Sequence, residues 1–246
     1  MNLISVIVPY YKKKDHIKST INSVLKQTHK NLEILLIYDD SSFQDLDYIK
    51  MISKSDNRIK LLINKKNIGA GKSRNIGIKK SKGKFIAFLD ADDLWLKNKL
   101  RLQFKFMKKN NYRVSHTTYE IIDKQSNSIG LRKARTFHLV KDLIESCDIG
   151  LSTIMMEKKI FSKGIMFTDI KTKEDFILWL QILKKGIPIG ALDIKLTKWR
   201  KLDNSLSSPV YQKLKNGFLL YNKHMKFNFI KSIYFLFILS FNYLKK

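Results

Sequence analysis

The chain has 246 residues, 44% hydrophobic and 11% aromatic, with 48 Lys and Arg against 21 Asp and Glu, a formal net charge of +27. That composition excludes a disordered polyelectrolyte and suits one large domain, or one domain with an appendage. Its single cysteine, Cys147, excludes an internal disulfide or a thiolate cluster, and its five scattered histidines offer no pair at helical metal-ligand spacing.

Ile4 to Val8 (ISVIV) is a continuous β-branched run, as expected of a strand covered on both faces of a parallel sheet. Lysines follow this run instead of preceding it and Pro9 interrupts it, so no signal peptide is expected. Asp15 is placed to cap a helix whose apolar positions Ile17, Ile21, Val24 and Leu25 recur at spacings of three and four. A second strand, Leu32 to Tyr38, ends at Asp39-Asp40-Ser41-Ser42. After a short helical pattern come a third strand at Ile59 to Ile63, the turn NIGAGKSRNIG opening a helix, and a fourth strand in KFIAFLD. Leu96, Leu100, Phe104 and Met107 predict one helical face, and Val114 to Ile122 another strand. Strands alternating with helices predict an α/β fold with an open, mostly parallel, Rossmann-like sheet flanked by helices.

The second half is less regular: a polar turn at DKQSNSIG, a helical piece from Leu139 to Ser146 and an apolar strand near Leu151 to Met156. KEDFILWLQILKKG predicts a helix with Phe176, Trp179, Leu180 and Leu183 on one face, Gly186 just past its end and Glu174-Asp175 in its first turn.

In open α/β sheets ligands gather at the carboxyl ends of the strands. The tips Pro9-Tyr10, Asp39-Asp40 and Asp90-Ala91-Asp92-Asp93 would then line one crevice. Two carboxylates one residue apart at a strand end can share a Mn²⁺ or Mg²⁺ with a ligand diphosphate; Asp90 and Asp92 have that spacing and Asp93 adds a third acid, although Asp-rich tips also serve as ordinary turns and caps. GAGKS is not a phosphate-binding P-loop, because position 66, where its first glycine belongs, is lysine. The dinucleotide fingerprint fails too, with Arg74 in place of its third glycine. Lys72 and Arg74 on the following helix either reach a phosphate or remain solvated charge.

The segments SVIVPYY, ILLIYDDSS, NIGAGKSRNIGIKKSKGKFIAFLDADD and KEDFILWLQILKKG, in this order over roughly residues 1–200, resemble the family 2 glycosyltransferases, inverting enzymes of the A-type nucleotide-sugar fold. The resemblance implies a single A-type catalytic domain over 1–205, with 1–110 as nucleotide-binding half and 111–205 as acceptor-binding half, followed by a basic aromatic helical tail over 206–246. It implies that Pro9, Tyr10 and Asp40 hold the base and ribose of a nucleoside diphosphate sugar, a UDP-sugar first among donors. Arg74 would lie near the nucleotide, and Asp90 and Asp92 would form the ribose and metal motif. Asp175 would be the catalytic base, and Glu174 would orient the acceptor or simply sit in the first turn. His116 would fall in the wall of the acceptor pocket that the resemblance implies. Ser41 stands where the family often has glycine, and TKWRKLDNSLS (Thr197 to Ser207) departs from its usual Tyr-Arg, leaving Arg200 as a phosphate candidate.

In the tail, Ile230, Ile233, Tyr234, Phe237, Ile238 and Phe241 form a helical stripe flanked by Lys226, Lys231, Lys245 and Lys246. Such a helix lies on an anionic membrane, or packs on the catalytic domain or on a second subunit in a homodimer. No stretch reaches the roughly 18 apolar residues of a spanning helix. The expectation is a cytoplasmic enzyme, peripheral on the inner face of the cell membrane, that passes a hexosyl or N-acetylhexosaminyl group to a glycan or polyprenyl-linked acceptor in surface polysaccharide synthesis. Two other classes compete: a basic nucleic-acid-binding protein, which lacks any recognisable binding signature here, and an inactive membrane-associated scaffold of the same fold, against which the set Asp40, Asp90, Asp92 and Asp175 speaks. No nucleic acid is therefore expected as partner.

Overall fold

The computed structural model of the chain describes residues 2–170, 172–202 and 210–244. The expected boundary at 205, the end of the Thr197 to Ser207 segment, and Lys245 and Lys246 lie outside the described residues. Strands β1 (Ile4–Tyr10), β2 (Leu32–Tyr38), β3 (Ile59–Ile63) and β4 (Phe85–Phe88) run parallel in the order β3-β2-β1-β4. All their carboxyl ends therefore emerge at one edge. The sheet continues from β4 through β8 (Met155–Glu157), β6 (Val114–Ile122) and β9 (Ile189–Arg200) to β5 (Leu94–Trp95), while β7 (Ser128–Arg132) folds back on β6. β8 pairs antiparallel with both β4 and β6, stitching the two halves of the chain into one sheet.

Both faces of β1 and β2 are covered, which is why their sequences are apolar without alternation. On one face Val6, Val8, Ile34 and Leu36 meet helices α1 (Lys14–Leu25), α2 (Leu46–Lys54) and α4 (Lys99–Lys109) through Ile17, Ile21, Ile49 and Leu100. On the other, Ile7, Leu35, Ile37 and Phe88 meet α3 (Ala70–Lys80) and α5 (Glu174–Lys184). Gly77 lets α3 settle on the sheet, because a Cβ there would lie 2.7 Å from Ile7 Cγ2.

Several expectations shift. Asp15 lies inside the first turn of α1 after the cap residue Lys13, where it faces the helix dipole and makes no side-chain cap. Leu96 precedes α4 and follows β5, whose pairing with Thr197 and Lys198 draws it out of the helix. Residues 139–146 form only a 3₁₀ turn at Val140–Asp142, and the run from Leu151 splits into a 3₁₀ turn and β8. β9 has no counterpart in the sequence reading: its alternation is broken by bulges and by pairing on both edges. α5 is buried nearly all round, not along one face, because Ile177, Leu178 and Ile182 also enter the core. At the C-terminal end, α6 (Val210–Leu219) passes through a π turn (Leu220–His224) to α7 (Phe229–Leu244). No described helix is long and apolar enough to cross a membrane.

Candidate active site

The turn after β3 is organised by Asp39, which sequence reasoning noticed but gave no role. Buried at the tip of β2, its carboxylate accepts from the main-chain N–H groups of Ile68 and Gly69 (both 2.9 Å) and from Asn64 Nδ2 (2.8 Å), and its carbonyl accepts from Asn67. Gly69, at φ +88°, supplies the left-handed backbone that starts α3. The neighbouring Asp40, also buried, caps its own turn by accepting from Ser42 N at 3.0 Å, and no hydrogen bond among the described residues joins it to the acids of β4. Pro9 is buried and Tyr10 completely so. Tyr10 donates to Asp45 at 2.7 Å, and burial together with Asp45 holds its phenol protonated. Its ring stacks on Tyr38 at 5.4 Å, and Tyr38 in turn on Phe43 at 6.2 Å, so the outward ring of this row is Phe43, which is 45% exposed.

Arg74 is directed inward from α3. It lies 4% exposed, with one guanidinium nitrogen 2.7 Å from Asp90 Oδ1 and the other 2.9 Å from Glu174 Oε1, its plane over the Phe167 ring. Thus the tip of β4 and the start of α5 share one cation. The approach is close: a Cβ on Gly71 would meet Thr168 O at 2.7 Å and Glu174 Cγ at 3.3 Å. That explains the second glycine of GAGKS without any phosphate loop. Lys72, the next residue, points to solvent.

Desolvation pushes the Glu174 carboxyl up to about 7, opposed by Arg74 and reinforced by Asp175. Asp175 is also raised, chiefly by burial, while its hydrogen bond from Phe176 N (2.7 Å) and the charge of Arg74 pull the other way; Asp90 is among the charges it senses. Two carboxyls with elevated affinity for protons therefore stand beside the acidic tip.

Within that tip the three acids diverge. Asp92 Oδ2 pairs with Lys13 Nζ at 2.9 Å, a partner from the β1–α1 loop that sequence reasoning missed. Asp93 turns into the core, 1% exposed, where Oδ2 accepts from Ser152 Oγ and Oδ1 from Arg200 N (2.8 Å); burial, then the charges of Asp92 and Asp90, raise its carboxyl well above the usual range. It ties β4 to β9 and does not face outward with Asp90 and Asp92. The Arg200 guanidinium donates to the carbonyls of Asp92, Asp123 and Lys124 and to Ser126 Oγ, pinning the β6–β7 turn against the acidic tip. His116 is buried against Phe137, its Nε2 bonded to Arg135 O at 2.8 Å, and desolvation lowers its ring to about 4.

Among the described residues no group of three or more His, Cys, Asp or Glu is arranged to hold a metal ion. A divalent cation that keeps its waters and shares a ligand diphosphate needs only one or two carboxylates. Asp90 and Asp92 fit that smaller demand, since the ion pairs to Arg74 and Lys13 each engage one oxygen of the carboxylate. Two surface hollows, along Phe104–Asn110 and between Lys26, Trp95 and Lys198, are lined by none of these acids.

The model of the family described as "Glycosyl transferase family 2" matches residues 5–165. An uncharacterized glycosyltransferase of Rickettsia conorii is 41% identical over 199 residues, which are 80% of this chain and 32% of that protein. The chain spans about a third of the length of the first curated relatives it matches. The UDP-Glc:alpha-D-GlcNAc-diphosphoundecaprenol beta-1,3-glucosyltransferase WfgD of Escherichia coli is 39% identical over 215 residues, 87% of this chain and 83% of that one. Among solved structures, S. aureus TarS 1-349 in complex with UDP-GlcNAc superposes with a TM-score of 0.74 at 21% identity, over 91% of this chain and 65% of that one. At that identity the likeness speaks for the fold alone.

Proposed function

The chain belongs to glycosyl transferase family 2, and we propose that it transfers a hexosyl or N-acetylhexosaminyl group, with inversion, from a UDP-sugar to a hydroxyl of a glycan or polyprenyl-linked acceptor in polysaccharide synthesis. WfgD, whose name describes a UDP-glucose donor and a diphosphoundecaprenol acceptor, is similar over most of both chains and supports this choice of substrates. We assign 1–110 to donor binding and 111–205 to acceptor binding, with the reaction on the inner face of the cell membrane. The observation that carries the reading is Arg74, which gathers Asp90 of the donor half and Glu174 of the acceptor half onto one guanidinium.

In this reading Phe43 offers its exposed face to the base, and the main-chain turn held by Asp39 and Asp40 borders the ribose. Lys13 stands ready as a cation toward the diphosphate, Arg74 keeps Asp90 and Glu174 in place behind it, and Asp90 and Asp92 would hold the Mn²⁺ or Mg²⁺. When bound, that ion neutralises charge growing on the departing diphosphate. Asp175 removes the proton of the acceptor hydroxyl as its oxygen attacks the anomeric carbon from the face opposite the leaving group. A raised proton affinity suits that task, since the base must take a proton near neutral pH. Glu174, tied to Arg74, positions this first turn. Asp93 and Arg200 brace the acidic tip, and His116 stays a core residue.

Thermal unfolding of the full chain with UDP, GDP or dTDP, with and without Mn²⁺, tests the reading. Stabilisation by UDP that grows with Mn²⁺ is expected. Salt-sensitive retention on DNA with no response to any nucleotide would overturn it.

A further inference from the structure

α7 is apolar on two opposite faces. One face docks it: Phe235, Leu236 and Leu239 pack on the core, with Phe235 5.5 Å from the Tyr221 ring and 5.3 Å from Phe227. Gly217 of α6 leaves the space that Leu236 fills, since a Cβ there would lie 2.7 Å from Leu236 Cδ1. The opposite face carries Ile230, Ile233, Tyr234, Phe237 and Phe241, which are 80%, 46%, 58%, 71% and 48% exposed. At a helical repeat these five fall within a stripe about 100° wide. Phe229, 64% exposed and edge-on to Phe218 at 5.6 Å, extends the patch toward α6. A helix already held by its inner face has no folding reason to keep a second apolar face in water.

We propose that this outer face of α7 docks on an anionic lipid bilayer. Charge selects the occupant. Residues 204–246 contain seven lysines and no Asp or Glu. Lys223, Lys226 and Lys231 are exposed at the end where α7 begins, with Lys231 Nζ 4.3 Å from the Phe227 ring. Two copies meeting through this segment would oppose lysine to lysine with no acid of the segment to offset them, whereas anionic headgroups complement both the stripe and its flank. With 16 residues α7 is about 24 Å long, shorter than a hydrocarbon core of about 30 Å, so it lies along the interface. Phe and Tyr side chains suit that depth. The docking does not rest on the transfer chemistry, and its test reads no activity.

The full chain is floated with vesicles of phosphatidylcholine alone and of phosphatidylcholine with phosphatidylglycerol. Wild type should rise only with the anionic vesicles, and added salt should weaken it. I230D/F237D should lower the bound fraction by about tenfold or more while the unfolding temperature stays near that of wild type. K223E/K231E, which leaves the apolar stripe intact, should also reduce it. Three results would overturn the proposal: wild type left at the bottom with anionic vesicles, I230D/F237D floating like wild type, or a wild-type dimer that floats with neither vesicle and is dissociated by I230D/F237D.

Discussion

Arg74 and Glu174 meet at 2.9 Å although 100 positions of chain separate them, and this one contact joins the helix after β3 to the first turn of α5. Because the same guanidinium also holds Asp90 at 2.7 Å, whatever binds at the tip of β4 is felt electrostatically at the start of α5.

Replacing Asp175 by Asn should leave UDP binding intact while lowering transfer by about 10²-fold or more, because the amide keeps the shape and cannot take the acceptor proton. Binding is read by calorimetry and transfer with the donor and acceptor that the wild type uses. Wild-type turnover in the variant would remove Asp175 from the role.

Glu174 gives stability a pH dependence of defined sign. Its folded proton affinity is raised, from 4.5 to about 7, so its contribution is complete below about 4.5 and is lost as pH rises through about 7. Glu174→Gln, which remains neutral, should therefore gain on the wild type by up to about 3 kcal/mol between pH 4.5 and pH 8. Denaturant unfolding of both proteins across that range checks it, and parallel curves would contradict the assignment.

Lys13 occupies one oxygen of Asp92, with both side chains partly screened by solvent. Lys13→Met should free that oxygen and tighten Mn²⁺ binding in the absence of nucleotide by about fivefold, the scale of a partly exposed ion pair. Electron paramagnetic resonance of free Mn²⁺ measures this directly; weaker binding would show that Lys13 does not compete for the carboxylate.

Gly71→Ala should cost about 1–3 kcal/mol, since the new Cβ meets a main-chain oxygen, Thr168 O, at 2.7 Å and no rotamer change can relieve it. The shift would separate α3 from α5, so donor binding should fall along with the unfolding temperature.

Phe43→Ala should weaken UDP by about 1–3 kcal/mol, the range for a base stacked on an aromatic ring, with little change in stability because the ring is 45% exposed. Equal affinity in titration calorimetry would exclude the ring from the base site.

The sequence by itself determined β1 to β4 and the clustering of their polar tips, because strands covered on both faces must be apolar throughout and parallel strands must end together. It also marked Asp90 and Asp92 through their spacing, and Asp175 through the family resemblance. Tertiary structure alone decided that Asp93 turns inward to Ser152 and Arg200, that Lys13 faces Asp92, and that Arg74 bridges to Glu174. Such choices depend on partners tens of positions away, and a one-dimensional pattern reports only local periodicity. β9 stayed hidden for the same reason: paired on both edges and bulged along β6, it buries residues in no simple alternation, so its identity as a strand comes from its neighbours.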